Sequence, residues 1–397
     1  MADDTPAVVV AGHICLDIIP AFDRRAGGLA DLLKPGALVE VGPAVLSTGG
    51  AVSNTGLALH RLGVPTRLMG KVGDDLFGDA ILRIIGDHEP ALAAGMLVAR
   101  GEPSSYTVVV NPPGVDRVFL HCPGANDTFG ADDIPYDELA GVRLFHLGYP
   151  PIMRRFFTNG GAELSVVLQR VQERGVATSL DMSRPDPASE SGRADWRTIL
   201  TRTLPHVDVF LPSLEETVFM LDRALFDRLS ARGDVVAQCD GALLAEIGAQ
   251  LLAMNVGVVA LKLGDRGLYV RTADRPERLA ALRTAAGHPL SDWLGRELLT
   301  PCFEVEVAGT TGCGDSTIAG FLAGLLSGLA LEEAMTTAVA VGACCAERPD
   351  ATSGIQPWAA VQARVRSGWR KRPTTIGWPG WKWDEAHGIA LGPHDHS

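Results

Sequence analysis

The 397-residue chain has no CxxC pair, no long apolar run and no excess of positive charge. Each absence removes a class of protein. Its seven cysteines, at 15, 122, 239, 302, 313, 344 and 345, are scattered and odd in number. That pattern suits a reduced interior rather than a disulfide framework. Cys344 and Cys345 are sequence neighbours, which a helix would point apart, so they do not read as a metal pair. The apolar, uncharged stretch Ser316 to Leu331 is too short and too rich in glycine to span a bilayer. The opening "MADDTPAVVVAGH" carries two acids and no basic segment, so no secretory signal is expected and the cytoplasm is the expected compartment. Lys plus Arg is 35 against 47 Asp plus Glu, a net charge of −12. Phosphate neutralisation needs clustered cations, so neither nucleic acid nor membrane is an expected partner. There is also no GxxxxGK[ST] loop, no HExxH, no GxSxG and no zinc-ligand spacing.

What is present is a globular composition, 46% hydrophobic and 21% charged, with enough apolar material for a large core. The runs "AVVVAG", "RLFHLG", "VATSLDM", "VDVFLP" and "VGVVALKLG" read as strands. "GGAELSVVLQRVQERG" and "GALLAEIGAQLLAMN" have apolar residues at helical spacing. The alternation predicts an α/β fold with a mostly parallel central sheet flanked by helices. One region breaks the rhythm: Ser104 to His121 is two strand-like runs around Pro112-Pro113-Gly114, a hairpin. With "GALVEVGPAVLSTGG" it suggests a small β element beside the main sheet, either a lid or an ordinary edge. After Pro357 the composition shifts, and five of the seven tryptophans (358, 369, 378, 381 and 383) lie there. That tail is expected to pack on its own domain or on a partner subunit.

Chemistry concentrates in "GTTGCGDSTIAGF", Gly309 to Phe321. "CFEVEV" before it alternates like a strand, and an apolar helix-like run follows. Gly320, Gly324 and Gly328 form one stripe of that run, open to close approach by another backbone. Gly309 to Gly314 is thus expected to be a strand-to-helix turn whose bare N–H groups attract phosphate. Asp315 at the helix start has two readings. As an N-cap it satisfies orphan amides; as a base it takes a proton from a hydroxyl that attacks a phosphate held there. Near the other end, Asp17 lies just beyond the first strand, where open α/β sheets bind ligands. Gly49 and Gly50 precede a helix with Asn54 in its first turn. Glycines let a substrate approach, and Asp and Asn offer directional bonds to hydroxyls.

These segments resemble the ribokinase-like, or PfkB-type, carbohydrate kinases from about Val8 to about Gln356. "GTTGCGD" is similar to that family's second signature and "GGAVSN" to its first. "GKVGDDLFG", "GAN", "LPSLEE" and "LKLGDRG" fall in the family's order. The resemblance implies a kinase domain over 1–356, with lid elements at about 14–48 and 103–122, and an extension over 357–397. It implies transfer of the ATP γ-phosphoryl group to a sugar hydroxyl. Asp315 would be the base, and the amides of Gly312, Cys313 and Gly314 the anion hole. Asp17, Gly49, Gly50, Asn54 and Asn126 would hold the substrate. Lys262, Gly264, Gly267 and Thr310 would lie along the nucleotide, and Glu216 would act on Mg²⁺ through water. A nucleoside kinase, with Tyr106 or Phe119 stacked on the base, and a catalytically silent sugar or nucleotide sensor stay open. So does a homodimer paired along the lid's strand edge. Three departures narrow the implication. Gly309 replaces an Asp linked to a monovalent-cation site, which leaves potassium activation open. Ser213 replaces the Asn of PNxxE. Gly148 stands where ribokinase has an acidic sugar contact, so ribose is not implied.

Overall fold

The computed structural model describes residues 5–22, 34–36, 38–111, 118–373 and 377–396. The Pro112-Pro113-Gly114 turn and part of the first lid segment lie outside these residues. The strands in chain order are β1 (Val8–Gly12), β2 (Cys15–Pro20), β3 (Ala44–Gly49), β4 (Thr66–Met69), β5 (Lys71–Gly73), β6 (Leu97–Ala99), β7 (Tyr106–Val110) and β8 (Val118–Cys122). They continue as β9 (Leu144–Gly148), β10 (Ala177–Leu180), β11 (Val209–Phe210), β12 (Val258–Lys262), β13 (Leu268–Thr272), β14 (Glu297–Thr300), β15 (Lys382–Asp384) and β16 (Ile389–Leu391).

Ten of them form one sheet in the order β15-β16-β14-β13-β12-β11-β10-β9-β1-β4. From β4 to β12 every pairing is parallel; β13, β14, β16 and β15 then run as an antiparallel meander. The alternation of side chains along β1 explains why the sheet is apolar throughout. Val8 and Val10 pack into one core and Val9 and Ala11 into the other, all of them fully buried. A strand with helices on both faces needs a continuous apolar run, and each buried valine contributes about 1.5–3 kcal/mol of transfer free energy.

A second sheet, ordered β3-β2-β7-β8, is the expected small β element. It pairs β2 with β3 and β7 with β8 antiparallel, and β2 with β7 parallel. The tail packs on its own domain: β16 joins β14, and Trp369 stacks on Phe303 with ring centroids 4.4 Å apart.

Two expectations need correction. "CFEVEV" is not a strand. Regular pairing stops at Thr300, and beyond it Phe303 makes an isolated bridge to Lys371 while Cys302 O accepts from Arg372 N at 2.7 Å. The segment turns its apolar side chains into a cavity instead of a ladder. The glycine stripe is also shorter than expected. A Cβ on Gly320 or Gly324 would come within 2.9 and 3.0 Å of the Ala338 and Ala334 Cα atoms, so those two seat the helix Cys313–Leu326 on Leu331–Ala346. Gly328 lies past the helix end, in a left-handed turn.

Candidate active site

The carboxyl ends of the parallel strands converge on one place. β1 leads to His13, β9 to Tyr149, β10 to Asp181, β11 to Ser213, and β12 ends on Lys262. That is where open α/β sheets bind ligands. A cavity of about 530 Å³ opens there. Its polar end is lined by Lys262, Glu216, Gly312, Cys313, Gly314 and Asp315, with Gly264, Gly267 and Thr310 along one side. Its other wall is apolar and includes Phe303, Val305, Val307, Val339 and Ala343.

Gly312 is the N-cap of the helix Cys313–Leu326, with φ 73° and ψ 0°, a conformation that a side chain would strain. An α-helix leaves the first N–H groups without intrahelical acceptors, and these face the positive end of the dipole. Asp315 is the third helical residue and does not cap its own helix, which removes the capping reading. Instead its carboxylate is held from two other elements. Asn54 Nδ2 donates to Oδ2 at 3.0 Å and Thr55 Oγ1 to Oδ1 at 3.2 Å, both from the helix Ala51–Arg61. The Tyr149 hydroxyl donates to Oδ1 at 2.8 Å and to Oδ2 at 2.9 Å. Asn54 Oδ1 is buried without a hydrogen-bond partner.

Lys262 Nζ donates to Asp181 Oδ1 at 2.6 Å. Burial alone would lower the lysine, but the carboxylates of Asp181 and Glu216 hold it above its ordinary value. Burial pushes the Asp181 and Glu216 carboxyls up, and the Lys262 ammonium pulls both back. Ser213 fills the departure from PNxxE with a reciprocal cap. Glu216 N donates to Ser213 Oγ at 3.2 Å, and Glu216 Oε2 accepts from Ser213 N at 2.7 Å. One Glu216 oxygen is therefore engaged in its own helix start.

Asp17, Gly49, Gly50, Asn54 and Asn126 gather where the β3-β2-β7-β8 sheet meets the helix Ala51–Arg61, apart from the cavity lining. A Cβ on Gly49 would lie 2.4 Å from Asp17 Oδ2, and one on Gly50 would lie 2.5 Å from His13 Nδ1. Burial pushes the Asp17 carboxyl up to about 6, opposed by hydrogen bonds from Cys15 and Thr107. Asn126 is fully buried: Ile14 N donates to its Oδ1 at 3.2 Å and its Nδ2 donates to Ile14 O at 2.8 Å. That pairing shapes the His13–Asp17 segment.

Sequence reasoning missed Asp181, Tyr149 and Thr55. Asp181 carried a signal, since it ends a strand-like run just as Asp17 follows one. Tyr149 and Thr55 carried none, because nothing local marks a phenol or hydroxyl that meets a carboxylate over 160 positions away.

A cavity at the strand ends, closed at its polar end by a helix N-terminus, marks a phosphate-handling class. Comparison with known proteins sharpens this. The description "pfkB family carbohydrate kinase" fits residues 6–359, and the chain belongs to that family. An uncharacterized sugar kinase of Archaeoglobus fulgidus is 27% identical over 299 residues, covering 75% of this chain and 98% of its own. An ATP-dependent ribose-1-phosphate kinase of Halopiger xanaduensis is 25% identical, with coverage of 87% and 94%. Arabidopsis thaliana ribokinase, solved with ribose and ATP, superposes with a TM-score of 0.67 at 18% identity, covering 91% of this chain and 99% of its own. The fold is the ribokinase-like α/β fold, and the protein is a carbohydrate kinase. Among the described residues no helix is long and apolar enough to cross a membrane.

Proposed function

We propose that the chain transfers the γ-phosphoryl group of ATP to a hydroxyl of a sugar or sugar-like acceptor, with Asp315 as the base. One observation carries the reading. Asp315 sits in the first turn of a helix whose leading amides open on the cavity, yet its carboxylate is oriented by a second helix and not by its own. The apolar wall around Phe303 and Val339 suits a nucleobase. Gly312, Cys313 and Gly314 then present N–H groups to the transferring phosphoryl, whose loose transition state depends on positioning and charge stabilisation. Asp315 accepts the acceptor's proton as its oxygen bonds to phosphorus and the bond to ADP breaks. Asp17 and the unpartnered Asn54 Oδ1 would receive hydroxyl donors, and the missing Cβ of Gly49 leaves the Asp17 carboxylate its position.

Asp181, Glu216 and Asp315 surround one ammonium, Lys262, at the polar end, so a bare triphosphate would meet little positive charge beyond that lysine. Among the described residues no three His, Cys, Asp or Glu side chains converge as a metal cage. Asp181 and Glu216 fit Mg²⁺, which keeps several waters and takes one or two carboxylates plus phosphate oxygens. Asp181 and the outer oxygen of Glu216 would hold it through water, and it would neutralise charge on the phosphates. Gly309 offers no carboxylate to a monovalent cation, and a Cβ there would lie 2.9 Å from the Pro349 Cα atom. We favour a sugar over a nucleoside because, of the two candidates for stacking on an acceptor base, Tyr106 is held edge-on to Phe77 at 5.3 Å and Phe119 is 56% exposed on β8.

The test is an ATP-coupled screen of free sugars, sugar phosphates and nucleosides, with Asp315→Asn as the blank. We expect Asp315→Asn to lower kcat by about 10²–10⁴ with nucleotide affinity largely kept. Near-normal turnover of that variant would remove Asp315 as the base.

A further inference from the structure

Tyr149 is placed at a backbone cost. It directly follows β9 with φ 68° and ψ 40°, left-handed and not glycine. The other described non-glycine residues with positive φ are Asn159 and Asn255, a residue type that tolerates this region, whereas a bulky aromatic does not. Such strain persists where the surroundings over-determine it. Here the preceding position leaves no choice: a Cβ on Gly148 would lie 2.0 Å from the Ala51 Cβ, so β9 is pressed onto the helix that carries Asn54 and Thr55. The turn after it aims the phenol at Asp315.

The result is a carboxylate with one helix donor on each oxygen and a phenol proton shared between the two. Asn54 and Thr55 donate one bond each from the same helix, and the single Tyr149 proton lies within reach of both oxygens. Tyr149 and Asp315 both line the cavity. Burial and then the Asp315 charge raise the phenol well above its ordinary value, so it remains a donor throughout the neutral range. A donating hydroxyl on the base is what an acceptor alcohol must also be.

Resting on the assignment of Asp315 as base, we propose that Tyr149 is a gate: its hydroxyl occupies the acceptor's place on Asp315 until a substrate hydroxyl displaces it. The consequence is suppression of waste. A water on the base would attack the γ-phosphorus, give its proton to Asp315 and release ADP and inorganic phosphate. The phenol excludes that water and cannot itself be replaced by a single weak competitor, whereas a sugar brings further bonds to Asp17 and Asn54. The His13 ring, buried with both nitrogens unpartnered and 6.2 Å from the Tyr149 ring, marks the neighbouring polar space that such a substrate would enter.

The experiment is phosphate release from ATP and Mg²⁺ with no acceptor, measured for the wild type, Tyr149→Phe and Tyr149→Gly. Tyr149→Phe keeps the ring and removes only the donor; Tyr149→Gly relieves the left-handed strain and removes the plug, so the test does not depend on a single substitution. Release should rise about tenfold in Tyr149→Phe and further in Tyr149→Gly. A residue that only braced Asp315 would give unchanged or slower release, and that result overturns the gate. The double variant Tyr149→Phe/Asp315→Asn separates the two assignments. If the raised release survives without Asp315, the base assignment fails. If Asp315→Asn abolishes sugar phosphorylation but neither Tyr149 variant leaks, the gate alone fails.

Discussion

Gly49 faces Asp17 so closely that a Cβ at Gly49 would lie 2.4 Å from the Asp17 carboxylate oxygen. The two are diagonal neighbours in the β2–β3 ladder, where Cys15 pairs with Gly49 and Asp17 with Ser47. Gly49→Ala should therefore push the carboxylate off its position while leaving both strands paired. We expect kcat/KM for the acceptor to fall by about ten- to a hundredfold, with KM for ATP little changed. Steady-state rates with each substrate varied in turn check this, and a parallel loss for both substrates would contradict it.

The raised Asp17 carboxyl makes a prediction in pH. It moves from 3.8 to about 6 because burial disfavours the charged form. Above about 6 it is ionised and accepts hydroxyl donors; below, it is protonated. Acceptor KM should therefore rise as pH falls through about 6, and Asp17→Asn should flatten the profile. The sign for stability is the reverse of a salt-bridged carboxylate. The folded chain holds this proton more tightly than the unfolded chain, so Asp17 costs stability as pH rises from 3.8 to about 6.

Lys262 and Asp181 meet at 2.6 Å with side chains 13% and 1% exposed. Lys262→Met strands a buried carboxylate and should cost about 3–5 kcal/mol of stability together with ATP affinity. Lys262→Met/Asp181→Asn should recover most of the melting temperature and none of the activity. Recovery of both would mean that the lysine serves the fold alone.

The tail offers a separate test. Arg296 Nε donates to Asp395 Oδ1 at 2.7 Å, and both side chains are almost wholly buried. Asp395→Ala leaves Arg296 with Glu332 as its remaining carboxylate, and should cost about 3 kcal/mol by chemical denaturation. Loss of well under that amount would place the last residues outside the cooperative fold.

Much of the fold was legible because parallel strands must be apolar on both faces. "AVVVAG" and "VGVVALKLG" announce themselves by composition alone, and β1 and β12 lie there. "CFEVEV" misled for the same reason. Its alternation is that of a half-buried strand, but the alternating side chains face a cavity, and period two does not distinguish a sheet face from a cavity wall. At the site, Gly312 to Asp315 could be read locally because a helix start is a local object. The partner of Asn126 could not be read, since its residue type announces hydrogen bonding without naming the partner, and that partner is the backbone of Ile14, 112 positions away.

The sequence by itself determined the parallel α/β core, the glycine turn before Asp315 and the family to which the chain belongs. These depend on side-chain type, period and motif order. Only the tertiary structure decided what surrounds that carboxylate. Asn54, Thr55 and Tyr149 reach it from 261, 260 and 166 positions away, and contacts at such range are set by how helices seat on the sheet, which no local pattern encodes.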